Sequence, residues 1–153
     1  MNIAWKYLDK RRGAAQAVRD YGSMQFILEN TDDEIKKAYN GMAHLGSPGI
    51  DGMPHAHDPK AGEARLVAGI EEIDVLKERY RQAMEYMDWF HPAWEVLTDD
   101  ERYVLKTFYG KSDNDWQSPV YQICERYKIE RSSAYNRKNR ALKHLTTLLF
   151  GRA

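Results

Sequence analysis

Apolar residues recur along this chain at intervals of three and four, the spacing that one face of an α-helix presents. The pattern is clearest after Glu63, where seven apolar side chains form one stripe: Leu66, Ile70, Ile73, Leu76, Tyr80, Met84 and Met87. A shorter pattern of the same period follows a predicted capping box at Thr31–Glu34. The alternation of apolar and polar residues that marks a strand is nearly absent. The sequence therefore predicts an all-α protein.

The long stripe predicts a helix from Glu63 to Phe90, which at 28 residues would be roughly 42 Å long. Pro92 is expected to kink this helix or to restart it. A helix of this length leaves two arrangements open. It can complete an amino-terminal helical hairpin or bundle within one chain, or it can form a coiled-coil contact that makes a homodimer.

A stretch rich in glycine and proline, from Gly46 to Gly62, separates the helical patterns and predicts a loop. It carries His55, His57 and Asp58, with Asp51 nearby, and these side chains could chemically ligate a metal ion. We interpret them instead as solvated loop residues. We therefore expect neither a metal nor a cofactor in this protein.

The last third of the chain predicts three short helices in succession. A second capping box, Thr98–Glu101, marks the start of the first helix, and Ser118 before Pro119 marks the start of the next. Residues 128–130 then form a tight connection to a last helix, which begins at Arg131 or one residue later. A short helix, a three-residue turn and a longer basic helix are typical of a helix-turn-helix.

Charge distinguishes the two ends of the chain. The formal net charge is zero, but residues 1–97 sum to −4 and residues 98–153 sum to +4. From Arg131 to the last residue there are six basic side chains and no acidic one. A basic end behind an acidic body favours a nucleic-acid surface, although a solvated helix face would carry the same charges.

Several other classes of protein are disfavoured by the composition. The single cysteine, Cys124, excludes a disulfide framework and lies on a predicted inner helix face, where we expect an inert apolar side chain. No apolar run approaches the roughly 18 residues of a membrane span. The first residues lack the apolar segment of a signal peptide. We expect a cytoplasmic protein with no membrane partner that is not an enzyme.

Four segments of the last third resemble region 4 of the bacterial sigma-70 family. They are Leu97–Leu105, Val120–Cys124, Ile129–Ala134 and Arg140–Leu145, and the resemblance covers residues 97–149. Glu130 departs from the family, in which Ser or Thr usually caps the recognition helix at this position. No counterpart of sigma region 2 precedes these segments, so the resemblance does not imply a full sigma factor.

The whole layout resembles small phage-encoded regulators, the late-gene activators of the ArpU and RinA type. The chain divides into amino-terminal helices (1–45), a Pro/Gly-rich loop (46–62), a long amphipathic helix (63–96) and a helix-turn-helix (97–153). Those regulators likewise carry an amino-terminal helical part, a Pro/Gly-rich loop and a sigma-like helix-turn-helix. The resemblance implies an all-α fold that ends in a DNA-binding domain.

The resemblance also implies which side chains meet DNA. Five side chains near the start of the last helix would contact base edges in the major groove: Arg131, Ser132, Ser133, Tyr135 and Asn136. Four basic side chains would contact phosphates: Arg137, Lys138, Arg140 and Lys143. Double-stranded DNA is the implied partner, and host RNA polymerase is a candidate second partner.

We therefore expect a sequence-specific DNA-binding transcriptional regulator of phage or prophage origin, acting in the cytoplasm of a bacterial host cell. The alternative is a non-enzymatic phage assembly or packaging component that uses the helix-turn-helix as an interaction module. Binding to promoter DNA distinguishes the two hypotheses.

Overall fold

The computed structural model describes residues 9–44, 59–110 and 116–152, and every element within those ranges is an α-helix. The five helices are α1 (Lys10–His44), α2 (Pro59–Val96), α3 (Asp99–Tyr109), α4 (Pro119–Tyr127) and α5 (Arg131–Phe150). The predicted all-α class is confirmed. Within the described ranges, no helix combines the length and the hydropathy that a membrane span requires.

Helix α1 shows that the capping box predicted at Thr31–Glu34 is wrong. The helix runs through this segment without interruption. Thr31 is buried, and its hydroxyl donates to the carbonyl oxygen of Ile27 one turn earlier. A threonine hydroxyl inside a helix can donate its hydrogen bond to a carbonyl oxygen of the preceding turn. The Thr-x-x-Glu spacing alone therefore does not mark a helix start.

Helix α2 has 38 residues, more than the 28 predicted. It begins at Pro59, so the last four residues of the predicted Gly46–Gly62 loop are helical. Proline is tolerated there because the first amides of a helix have no intrahelical acceptor. The helix also continues through Pro92 without a restart and ends at Val96. The rest of the predicted loop, with His55, His57 and Asp58, lies outside the described residues.

The chain divides into two compact units. Unit 1 comprises Met1–Met24 and Tyr86–Ala153, and unit 2 comprises Gln25–Glu85. Unit 1 therefore takes its residues from the start of α1, the end of α2 and all of α3, α4 and α5. The candidate DNA-contacting residues all belong to unit 1.

In unit 2 the predicted apolar stripe of α2 is buried at some positions and exposed at others. Ile73 and Leu76 are buried, whereas Leu66 and Ile70 are 49% and 48% exposed. The helices of this unit approach each other closely at Gly69, where an added Cβ atom would lie 2.7 Å from the side chain of Met42. Part of the apolar stripe therefore lies in solvent, although the two helices are in close contact at Gly69.

The larger core of unit 1 is centred on the fully buried ring of Phe90. The ring centroids of Tyr21, Tyr86 and Trp94 lie 5.5, 5.2 and 5.4 Å from it. Apolar residues of α1, α3 and α5 complete this core: Ala14, Ala15, Ala17, Val18, Leu105, Ala141, Leu142 and Leu145. Small alanine side chains at the start of α1 let that helix pack closely into this core.

A smaller core holds α3, α4 and α5 together. Its buried residues are Val104, Val120, Ile123 and Ala134. Cys124, Tyr127 and Ile129 are partly buried against them, as the prediction of an inner face for Cys124 requires. Neighbouring residues of α3 serve both cores, since Leu105 lies in the larger one and Val104 in the smaller one. The position of α5 is thus set by packing on two sides.

Candidate nucleic-acid interface

Local features set the start of α4 and its connection to α5. The hydroxyl of Ser118 accepts a hydrogen bond from the amide of Tyr121, and Pro119 occupies the first turn. Lys128 ends α4 in the left-handed conformation, with a φ of 54°. Helix α5 then begins at Arg131, one of the two predicted starts. Only three residues therefore separate the two helices.

The start of α5 lacks the cap that usually stabilises this position. Glu130 is the N-cap residue, and its side chain makes no capping hydrogen bond. Ser, Thr, Asp and Asn are the side chains that normally accept from the free amides of the first turn. The amides at the start of α5 thus remain open to another acceptor.

The capping box predicted at Thr98–Glu101 is present, and it also connects α3 to α5. The Thr98 hydroxyl accepts from the Glu101 amide, while the Glu101 carboxylate lies 2.7 Å from Nδ1 of His144. Partial burial raises the pKa of Glu101, but the hydrogen bonds from His144 and Thr98 outweigh it, so the pKa lies below its usual value. The Glu101 carboxylate thereby holds the middle of α5 against the start of α3.

The predicted base-contacting residues lie near the start of α5, and most of them face solvent. Four are exposed and Ser133 is half-buried; the exposed ones are Arg131, Ser132, Tyr135 and Asn136. Ala134, between them, is fully buried in the smaller core. Ser132 and Asn136 are four residues apart, so they lie on the same face of the helix.

The four predicted phosphate-contacting residues fall into two pairs. Arg140 and Lys143 are exposed, whereas Arg137 and Lys138 are half-buried against aromatic rings. The guanidinium of Arg137 lies 4.3 Å from the ring centroid of Tyr127, and the ammonium of Lys138 lies 5.2 Å from those of Phe108 and Tyr135. Cation–π contacts of this kind hold a charge in place without neutralising it.

A hydrogen bond fixes the ring beneath Arg137. The hydroxyl of Tyr127 donates to the carboxylate of Asp100 at 2.8 Å. Burial and then this carboxylate raise the pKa of Tyr127, so the hydroxyl keeps its proton and remains a donor. The guanidinium of Arg137 is therefore positioned by the contacts of α4 with α3.

Two residues that sequence reasoning missed lie beside the exposed face of α5. An open depression of about 500 Å³ is lined by Arg11, Asn136, Asn139, Arg140 and Lys143. The four residues from α5 follow the helical spacing of three, four and seven, so this spacing could have identified Asn139. Arg11 comes from α1, far away in sequence, and no local signal points to it.

In the parts of the chain that the structure describes, the exposed arginine and lysine side chains on and beside α5 form no ion pair. Within residues 9–44, 59–110 and 116–152, the ion pairs involve other basic side chains, and none involves Arg11, Arg131, Arg140 or Lys143. The same ranges contain no group of three or more His, Cys, Asp or Glu side chains that could hold a metal. The surface therefore combines hydrogen-bonding amides with cations that form no ion pair within the described residues, although Arg140 also lines a neighbouring depression with Asp100 and Glu101.

Comparison with known proteins adds no family to this description. No family model, curated protein or solved structure matches the chain. The basis for a functional proposal is therefore the geometry of α5 together with the sequence resemblance.

Proposed function

We propose that α4 and α5 form a helix-turn-helix and that the chain binds duplex DNA sequence-specifically through the exposed face of α5. The observation that carries this proposal is the exposed stripe of Ser132, Asn136, Asn139 and Lys143 along one side of that helix. Polar groups that can pair with bases lie toward its start, and a cation lies further along. The stripe is flanked by Arg131 and Arg140, which are exposed and have no ion pair within the described residues.

This order of side chains suits a helix that enters the major groove with its amino-terminal part. A carboxamide can pair with two atoms of adenine, an arginine with two atoms of guanine, and a hydroxyl with either kind of base. Residues further along such a helix reach the phosphates and set its orientation. The absence of a side-chain cap at Glu130 leaves the first amides of α5 available to a phosphate oxygen.

The packing beneath α5 supports the same proposal. Ala134 and Ile123 are fully buried where α4 and α5 meet, so the two helices approach closely. Such packing keeps the exposed face of α5 in one orientation relative to α4, which a groove-binding helix requires. A helix whose orientation varied would pay an ordering cost on each encounter with DNA.

We propose the role in transcription from the sequence resemblance. Similarity to sigma-70 region 4 and to the ArpU and RinA type regulators favours a phage or prophage regulator that acts on promoter DNA. Host RNA polymerase is the candidate protein partner in that role. A reporter gene placed behind the selected DNA site should respond to the protein if the role is regulatory.

A second candidate function is that of an interaction module in phage assembly or packaging. Trp116, which precedes α4, and Tyr121, in the first turn of α4, are 79% and 55% exposed. Exposed aromatic rings of this size are enriched at protein–protein contacts. This candidate predicts binding to a protein partner that survives substitution of Asn136.

The proposal is tested by selecting duplexes from a random library with the full-length chain. Wild-type protein should enrich one sequence motif, and its affinity should fall linearly with the logarithm of the salt concentration. Lys77→Ala is the control for the loss of one positive charge, and it should enrich the same motif as the wild type, because Lys77 is exposed and lies in unit 2. Absence of any retained duplex at low salt would refute DNA binding and favour the interaction module.

A further inference from the structure

We infer that Arg11 is a part of the DNA-binding surface and contacts a backbone phosphate beside α5. This inference rests on the proposed function, since it assigns a second element, α1, to the same site. The surface would then be assembled from two ends of the chain. Its ligand at this point is the phosphate backbone of duplex DNA.

The geometry places Arg11 beside the middle of α5. Arg11 lines the same open depression as Asn136, Asn139, Arg140 and Lys143. The proposed base-contacting and phosphate-contacting parts of α5 meet at this depression, between Asn136 and Lys143. A phosphate bound in this depression would therefore lie next to Arg11, Arg140 and Lys143.

The start of α1 is held in place by packing on the end of α5. An added Cβ atom at Gly13 would lie 3.2 Å from the ring of Phe150, so the glycine gives the ring room to pack. Ala14 is fully buried in the core that also contains Leu145. The carboxylate of Asp9 accepts from the Arg12 amide at 3.0 Å and caps the first turn. Arg11 is thus presented from an ordered helix.

The positive charges around the depression favour the binding of an anion. Arg11, Arg140 and Lys143 line it together, and no carboxylate of the described residues lines it with them. The carboxylates of Asp100 and Glu101 line a separate depression with Arg140, where Asp100 accepts from a tyrosine and Glu101 accepts from a histidine. Asp9 caps α1. Like charges that share a surface repel each other, and a bound phosphate would relieve that repulsion.

The test uses the full-length chain and a labelled random-sequence duplex, because phosphate contacts do not depend on sequence. Fluorescence anisotropy measures the affinity at salt concentrations from about 50 to 200 mM. The slope of log K against log salt is negative, and Arg11→Ala should reduce its magnitude by about 0.9. This corresponds to an affinity about fivefold weaker at roughly 0.15 M salt. Arg11→Lys should retain most of the slope because it keeps the charge.

Arg12→Ala is the matched control. Arg12 is the next residue, is also exposed, carries the same charge and does not line the depression. If Arg11 makes a direct contact, Arg11→Ala weakens binding more than Arg12→Ala does. Both variants should keep the wild-type melting temperature, since neither side chain is buried.

Two outcomes overturn different statements. If Arg11→Ala and Arg12→Ala both keep the wild-type slope while Lys143→Ala reduces its magnitude, α5 binds DNA and Arg11 does not take part. Absence of salt-dependent duplex binding by the wild-type chain would refute the proposed function itself, and the inference with it.

Discussion

Replacing Phe90 with alanine should remove a large part of the stability of unit 1. The ring is fully buried at the centre of the larger core. Its centroid lies within 5.5 Å of the rings of Tyr21, Tyr86 and Trp94. These three residues come from α1 and α2, and the same core contains residues of α3 and α5. The substitution would therefore leave a cavity between helices that cannot all collapse into it.

The expected cost follows from the burial and from the ring contacts. Truncating a buried phenylalanine to alanine costs about 3–5 kcal/mol, which includes both the lost transfer energy and the cavity. Aromatic pairs contribute about 0.5–1.5 kcal/mol each beyond their buried area, so three of them place Phe90 near the upper end, at about 4–5 kcal/mol. For a protein of this size that corresponds to a fall in melting temperature of roughly 8–20 °C.

Tryptophan fluorescence during urea unfolding is a suitable assay, because all four tryptophans fall within the sequence ranges of unit 1. Val96→Ala is the control: it truncates an apolar residue of the same helix that is 61% exposed, and should cost about 0.5 kcal/mol or less. Equal losses for Phe90→Ala and Val96→Ala would refute the packing described here.

Three further predictions concern the surface, the oligomeric state and the pH dependence. Asn136→Ala should cost roughly 1–3 kcal/mol on the selected DNA site and relax the preference at one base pair, whereas Lys143→Ala should weaken selected and random DNA alike; identical effects would show that the assigned roles are wrong. Sedimentation at micromolar protein should give about twice the chain mass of 17.9 kDa, because Leu66 and Ile70 remain half-exposed on α2, and a monomer at every concentration would contradict this. The lowered pKa of Glu101 means that its contribution to stability is complete above the unfolded-state pKa of about 4.3 and is lost as the pH falls through the folded value. Urea unfolding across this acid range should therefore show a steeper loss for the wild type than for Glu101→Gln, and parallel curves would contradict the prediction.

Local signals were sufficient where a few neighbouring residues decide the structure. Thr98 with Glu101 and Ser118 with Pro119 mark helix starts correctly, because each side chain acts on amides within its own first turn. The same kind of signal failed at Thr31, where the hydroxyl bonds backward to Ile27 and the helix continues. Whether such a threonine caps a helix depends on the conformation of the residues before it, which a short motif does not specify.

Features that depend on contacts between distant parts of the chain could not be predicted from the sequence. Arg11 reaches the side of α5 because Gly13 and Ala14 pack against the far end of the sequence. The apolar period of α2 predicts a continuous buried stripe, yet Leu66 and Ile70 lie half in solvent. Periodicity tells which side chains share a face, but only the tertiary structure tells how much of that face another element covers.

Unit 1 is built from two separate stretches of the sequence, and this limits which parts of the chain can be transferred to another protein. A gene fusion that transferred only residues 97–153 would separate Leu105, Ala141 and Leu145 from Phe90 and Trp94, which complete their core. The transferred segment would keep its polar face, but it would expose the apolar side chains that normally pack against Phe90 and Trp94. It would therefore aggregate or bind other proteins. Recombination that preserves function must keep both flanks together, whereas residues 25–85, which lie between them in sequence, can vary in length and composition with less consequence for that core.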